Sequence, residues 1–132
     1  MEVIEMSMVN KISNGKITDL DKEVNASDLE WNKHPSFKGV YLKHLVKGET
    51  TNSKFSSHLI KIEAGYEIGE HIHKNNWELH EPIEGTGKGF LGEKEIEYEL
   101  GVSVVIPEGV MHKVVAGDKD LYLLAKFIPA LV

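Results

Sequence analysis

The sequence predicts an all-β protein, a sandwich or barrel of short antiparallel strands, and two observations carry that prediction. Glycine is sparse before residue 65, with Gly15, Gly39 and Gly48, and then dense: Gly65, Gly69, Gly85, Gly87, Gly89, Gly92, Gly101, Gly109 and Gly117. Glycine adopts the positive backbone angles that tight turns need, so its recurrence between short apolar runs reads as a series of hairpins. The runs themselves alternate with period two. Strand plus turn repeats every ~8–12 residues, which fits a sandwich or barrel better than alternating strands and helices.

In chain order, residues 19–36 have mostly loop character, with one helical turn expected at Asn25 to Glu30 where Ser27 can cap it. "FKGVYLKHLV" (Phe37 to Val46) and "SHLIKIEAG" (Ser57 to Gly65) alternate as strands. In "KEIEYEL" the residues Ile96, Tyr98 and Leu100 fall on one face, with Glu95, Glu97 and Glu99 on a solvated one. That glutamate row lacks the turn ligands a calcium site needs. "VSVVIP" (Val102 to Pro107), "HKVVA" (His112 to Ala116) and "LYLLAKFIP" (Leu121 to Pro129) follow as strands. Pro82 interrupts the strand reading after Glu78, because it donates no ladder hydrogen bond, and points to an edge or bulge.

Composition narrows the function classes. A chain of 132 residues with 41% hydrophobic and 27% charged residues has the size and balance of one globular domain. A net charge of -6 disfavours a nucleic-acid-tracking surface, and all 15 basic residues are lysines, so no guanidinium fork is present. Cysteine is absent, which removes disulfides and thiolate ligands, and leaves any metal to histidine and carboxylate. The stretch "MEVIEMSMVN" lacks the basic and apolar regions of a leader, and no run reaches the ~18 apolar residues of a membrane span. The expectation is a cytoplasmic protein with neither membrane nor nucleic-acid partners.

The chemistry concentrates in "GEHIHKNNWELH" (Gly69 to His80), which holds three of the seven histidines. On a strand His71 and His73 project together while Ile72 points away. "KNN" is a turn-like break, and Glu78 opens the next strand, whose antiparallel return can bring its carboxylate beside both rings. His34, His44, His58, His80 and His112 remain as partners to weigh. His112 follows a sharp turn forced by Pro107 and Gly109, so its ring can be aimed inward from a distant segment. His80 lies two residues past Glu78 and shares its interior parity, which makes it the candidate general acid or base and a candidate substrate contact. His58 shares a face with Ile60 and Ile62 and is a weaker candidate for substrate binding. His34 and His44 are expected at the surface or an interface, and Trp77 in packing.

These residues resemble the cupin pattern, G-x5-H-x-H-x4-E-x6-G followed by G-x5-P-x-G-x2-H-x3-N. Gly65, His71, His73, Glu78 and Gly85 fill the first motif (residues 65–85), and Gly101, Pro107, Gly109 and His112 fill the second (residues 101–116). Ala116 stands where the family has Asn, a position that is not a metal ligand. The resemblance implies a double-stranded β-helix, a jelly-roll-like barrel, as a single cupin domain over residues 1–132, with residues 1–50 as amino-terminal strands and loops. It also implies that His71, His73, Glu78 and His112 hold one metal ion, and that the chain forms a homodimer. Apolar residues on both parities of "LYLLAKFIPALV" fit a segment buried on two sides, as such an interface requires.

Three imidazoles and a carboxylate suit Fe, Mn, Ni, Cu or Zn as the divalent ion, and ligand type alone does not choose among them. The expected function is a metal-dependent enzyme acting on a small oxygen-bearing metabolite, as an isomerase, epimerase or lyase, or as an oxygenase. A small-ligand binding or sensing protein without catalysis is the alternative.

Overall fold

A computed structural model describes residues 7–132, so the leader-like test of the first six residues lies outside the described region. Helix α1 (Met8–Ser13) leads into β1 (Lys16–Thr18), β2 (Glu23–Asn25), a 3-10 turn at Ala26–Asp28, β3 (Asn32–Lys33) and β4 (Val40–Val46). A second 3-10 turn, Gly48–Thr50, precedes β5 (Ser56–Ile62), β6 (Glu67–His71), β7 (Trp77–Glu84) and β8 (Gly87–Leu91). The chain ends with β9 (Lys94–Tyr98), β10 (Val104–Ile106), β11 (His112–Ala116) and β12 (Leu121–Ile128). No helix among the described residues is long and apolar enough to cross a membrane.

All pairings are antiparallel. One sheet has the order β10-β7-β12-β5-β4-β3 and the other β6-β11-β8-β9, with β1-β2 as a separate hairpin. Neighbours in each sheet are mostly distant in sequence, as in a jelly roll, so β12 lies between β7 and β5 and places the end of the chain in the middle of the larger sheet. The two sheets close over one apolar cluster. Ile60, Ile62, Leu121, Leu123, Ala125 and Phe127 come from the larger sheet, and Ile68, Tyr98, Val114 and Ala116 from the smaller. Ala116, at the motif's Asn position, is thus a core residue paired with Gly87.

The alternation predicts these strands well, with three differences. β9 stops at Tyr98, so Leu100 falls in a turn and is exposed rather than facing the core. The helical turn near residue 26 is a 3-10 turn entered from Asn25, whose side chain makes no cap, and Ser27 lies inside it. α1 is an element that the sequence reading does not anticipate: Ser7 caps it by accepting the Asn10 N–H at 3.1 Å. Its Val9 and Ile12 cover Leu59, Ile83, Leu45, Tyr122 and Leu124 on the outer face of the larger sheet. That packing accounts for the apolar residues on both parities of β12, which therefore need no second copy of the chain to bury them.

Pro82 behaves as its chemistry requires. β10 pairs with β7 only along Glu78, Leu79 and His80, so Pro82 lies past the end of β10, beside a register shift between Tyr122 and Leu123 of β12.

Candidate metal centre

Four side chains from three strands and a turn converge at one end of the barrel. His71 is the last residue of β6 and pairs directly across from His112, the first residue of β11. Opposite residues of an antiparallel pair share a face, and the two rings lie 4.0 Å apart between centroids. His73 stands just past the end of β6 rather than on the strand, with its ring 4.9 Å from that of His71. Glu78 enters from β7 in the other sheet. One ligand atom from each of His71, His73, Glu78 and His112 can be chosen so that all four lie within 4.8 Å of one another.

Local backbone features aim these groups. Gly109 has a φ of 77°, a left-handed conformation natural to glycine, and its N–H donates to the His73 carbonyl at 2.9 Å. The turn before β11 is thereby tied to the segment that carries the first two histidines. His71 Nδ1–H donates to the Gly69 carbonyl at 2.7 Å, and His112 Nδ1–H to the Val110 carbonyl at 2.9 Å. Each ring is held by the carbonyl two residues earlier. In the neutral ring this leaves the Nε2 lone pair free, the arrangement that oriented metal-binding histidines use.

The centre calls for a cation. Glu78 and His112 are 4% and 3% exposed, yet Glu78 Oε1 and His112 Nε2 have no hydrogen-bond partner, although they stand only 3.5 Å apart. His73 Nε2 is 3.2 Å from the same oxygen. Lone pairs facing a carboxylate oxygen in a dry site repel, and a metal ion among them satisfies all of them at once. The donor set fits such an ion, and its nitrogen and oxygen chemistry is that of a first-row transition metal.

The titration pattern agrees with this reading. Burial drops the His71 pKa to about 4, against smaller upward pushes from the Gly69 carbonyl and Glu78. Burial lowers His73 too. Both rings are therefore neutral, as ligands must be. Burial alone would raise Glu78, but the His80 and His112 rings that face it outweigh burial and hold the carboxyl well below the usual range. Burial pulls His112 down, but the Glu78 carboxylate facing it and the Val110 carbonyl on its Nδ1–H pull it further up. A proton on His112 is one way to serve Glu78, and a metal ion displaces it.

His80 lies elsewhere than beside an open position. It is 1% exposed and sits behind Glu78, its Nε2 bonded to Glu78 Oε2 and its Nδ1 2.8 Å from the Tyr98 hydroxyl. Both nitrogens are engaged, so its reach to a substrate is through Glu78. His58 is also outside the ligand cluster. It is fully buried, with Nδ1 2.8 Å from His44 Nδ1 and Nε2 2.8 Å from Ser56 Oγ, which accepts the Leu131 N–H. Strand parity turned both rings inward, as the sequence implies, but neighbours on their own strands, on β4 and on β9 take up their polar atoms.

Three residues near the centre carry little signal in the sequence. The loop before β4 brings Phe37 within 5.9 Å of His71, centroid to centroid, and His34 stacks on Phe37 at 4.8 Å. His34 Nδ1 accepts the N–H groups of Ser36 and Phe37, and burial lowers its pKa, so this ring is neutral and keeps its proton on Nε2. Tyr98 reaches His80 from the opposite sheet. Its ring crosses Gly89, where a Cβ would stand 2.1 Å from Tyr98 Cε1, and burial pushes its phenol up so that it stays an O–H donor.

No protein-family model matches the chain, and no curated protein matches it in sequence. Solved structures match the architecture. An RmlC-like cupin from Shewanella frigidimarina superposes with a TM-score of 0.68 at 20% identity, covering 80% of this chain and 87% of the other. This chain has the cupin fold. A second cupin-fold match is a predicted oxalate decarboxylase from Thermotoga maritima, with a TM-score of 0.71 and 23% identity over 78% of this chain and 95% of that one. The polyketide cyclase RemF from Streptomyces resistomycificus matches with a TM-score of 0.71 at 18% identity, covering 83% and 80%. Within this fold the histidine and glutamate cluster lies where the two sheets of the barrel meet.

Proposed function

We propose that the chain is a metal-dependent enzyme acting on a small oxygen-bearing metabolite. The observation that carries the reading is the buried, unpartnered pair of Glu78 Oε1 and His112 Nε2, flanked by His71 and His73. His71, His73, Glu78 and His112 would hold one divalent ion. Bound there, it would supply Lewis-acid polarisation of a carbonyl or stabilisation of an enolate, or redox chemistry if it is Fe, Mn or Cu.

The chain's own groups set what reaches that ion. Glu78 and His112 are buried, whereas His71 and His73 are half-exposed, so a ligand approaches from the side of His71 and His73. Phe37 shields one flank of His71, and Ile72, Trp77 and Met111 are exposed apolar residues of the adjoining segments. Such walls favour a compact metabolite with an apolar portion over a polyanion, and the absence of arginine agrees. The likeness in fold to a predicted oxalate decarboxylase and to a polyketide cyclase is in keeping with carbonyl and carboxylate chemistry, through a lyase, isomerase or oxygenase reaction.

The second reading, a cupin that captures a ligand without turning it over, draws on one observation. His80 has both nitrogens engaged and is shut away from the open side, so it is no free acid or base beside the ion. Elemental analysis of protein purified without chelator, followed by a screen of hydroxy and keto acids with oxygen monitoring, separates the two. Turnover supports the enzyme; saturable binding of an unchanged acid supports the sensor. Metal retained by a His71→Ala, His112→Ala double variant would sink both.

A further inference from the structure

We propose that His80 and Tyr98 form a positioning relay that restricts Glu78 to a single ligand oxygen, keeping two positions at the ion for a substrate with two adjacent oxygens. This rests on the metal-centre reading above and specifies what that centre accepts.

Glu78 is an ionised carboxylate and accepts only, so His80 Nε2, bonded to its Oε2, must carry a hydrogen. His80 Nδ1 in the neutral ring is then an acceptor, and the Tyr98 hydroxyl, 2.8 Å away, is its donor. The relay runs Tyr98 O–H to His80 Nδ1, and His80 Nε2–H to Glu78 Oε2. The two carboxylate oxygens are thereby divided: Oε2 belongs to His80, while Oε1 alone faces His73 and His112.

The relay is rigid because every member is buried. His80 is 1% and Tyr98 2% exposed. Val104 and Ala125 flank His80 in the sheet, and the Tyr98 ring lies over the bare backbone of Gly89. Turning the carboxylate so that both oxygens reach the ion would strip a fully buried N–H of its acceptor, with no water to replace it. With His71, His73, His112 and one oxygen of Glu78 as ligands, a six-coordinate ion retains two positions; with both oxygens it retains one. A hydroxy acid, keto acid or vicinal diol needs the two.

The test uses Mn(II), whose effect on water proton relaxation reports how many exchangeable waters it holds. Wild-type protein loaded with Mn(II) is expected to show the relaxivity of two bound waters. His80→Phe should lower it to roughly half, with metal affinity reduced about tenfold as for other lost supports of a ligand. His80→Gln, which keeps an N–H donor, should restore most of the relaxivity. Tyr98→Phe, which keeps the packing over Gly89, should fall between and serves as the readout if His80→Phe does not fold. Equal relaxivity in wild type and both single variants overturns the relay while leaving the metal centre standing. Failure of the wild-type protein to bind Mn(II) overturns both.

Discussion

Lowering the pH should destabilise the EDTA-treated protein through His58, and a His58→Gln variant should lose much of that sensitivity. Burial, then the charge of His44, offset in part by Glu78, drops the His58 pKa from 6.5 to about 4. The unfolded chain takes up this proton near the ordinary value, and the folded chain only near the depressed one. Between them the unfolded state holds the additional proton, so stability falls as the pH falls. The contribution is complete above 6.5 and exhausted at about 4. A gap of that size corresponds to about 3 kcal/mol, a large fraction of a small domain's stability. His58 is 0% exposed, so solvent screening does not reduce it appreciably. Urea unfolding in EDTA, followed from neutral pH to the acid end of this window, measures it. His71, which burial also drops to about 4, titrates in both proteins, so the difference between them reports the His44–His58 pair. Parallel stability curves for wild type and variant would refute the reasoning, because they would mean that the buried network tolerates a charge.

Two further outcomes follow from the packing and the metal centre. Gly89→Ala should destabilise the fold by about 1–3 kcal/mol in urea unfolding, since the added methyl would overlap the Tyr98 ring and have to displace it, and an unchanged midpoint would count against that packing. Added Mn(II) or Zn(II) should raise the melting temperature with the logarithm of the metal concentration above Kd, with about 2.7 kcal/mol of added stability at ~100 times Kd, and the rise should vanish in His112→Ala or in EDTA.

Much of the site was legible from spacing. His71, His73 and Glu78 lie close in sequence on the end of one strand, the turn after it and the start of the next, so local geometry nearly suffices to bring them together. His112 is distant, but Pro107 and Gly109 mark the turn that aims it, and that turn donates a hydrogen bond to the His73 carbonyl. The strands were readable because one face of each is solvated. The helix α1 was not, because six residues with one buried and one partly buried apolar side chain leave almost no periodic signal.

What the sequence determined by itself is which side of each strand every residue faces: period-two alternation turns His58, Glu78, His80 and Tyr98 inward whatever the rest of the barrel does. What only the tertiary structure decided is what each inward group meets there. The partners of His80 lie on its own strand and on β9 of the opposite sheet, and those of His58 on β4 and its own strand. Parity specifies a face but neither the depth along the barrel nor the residue opposite, since these depend on how two twisted sheets pack. His80 thereby becomes a support behind the ligand carboxylate, and Tyr98, read as one apolar residue in an alternating strand, becomes the group that holds it.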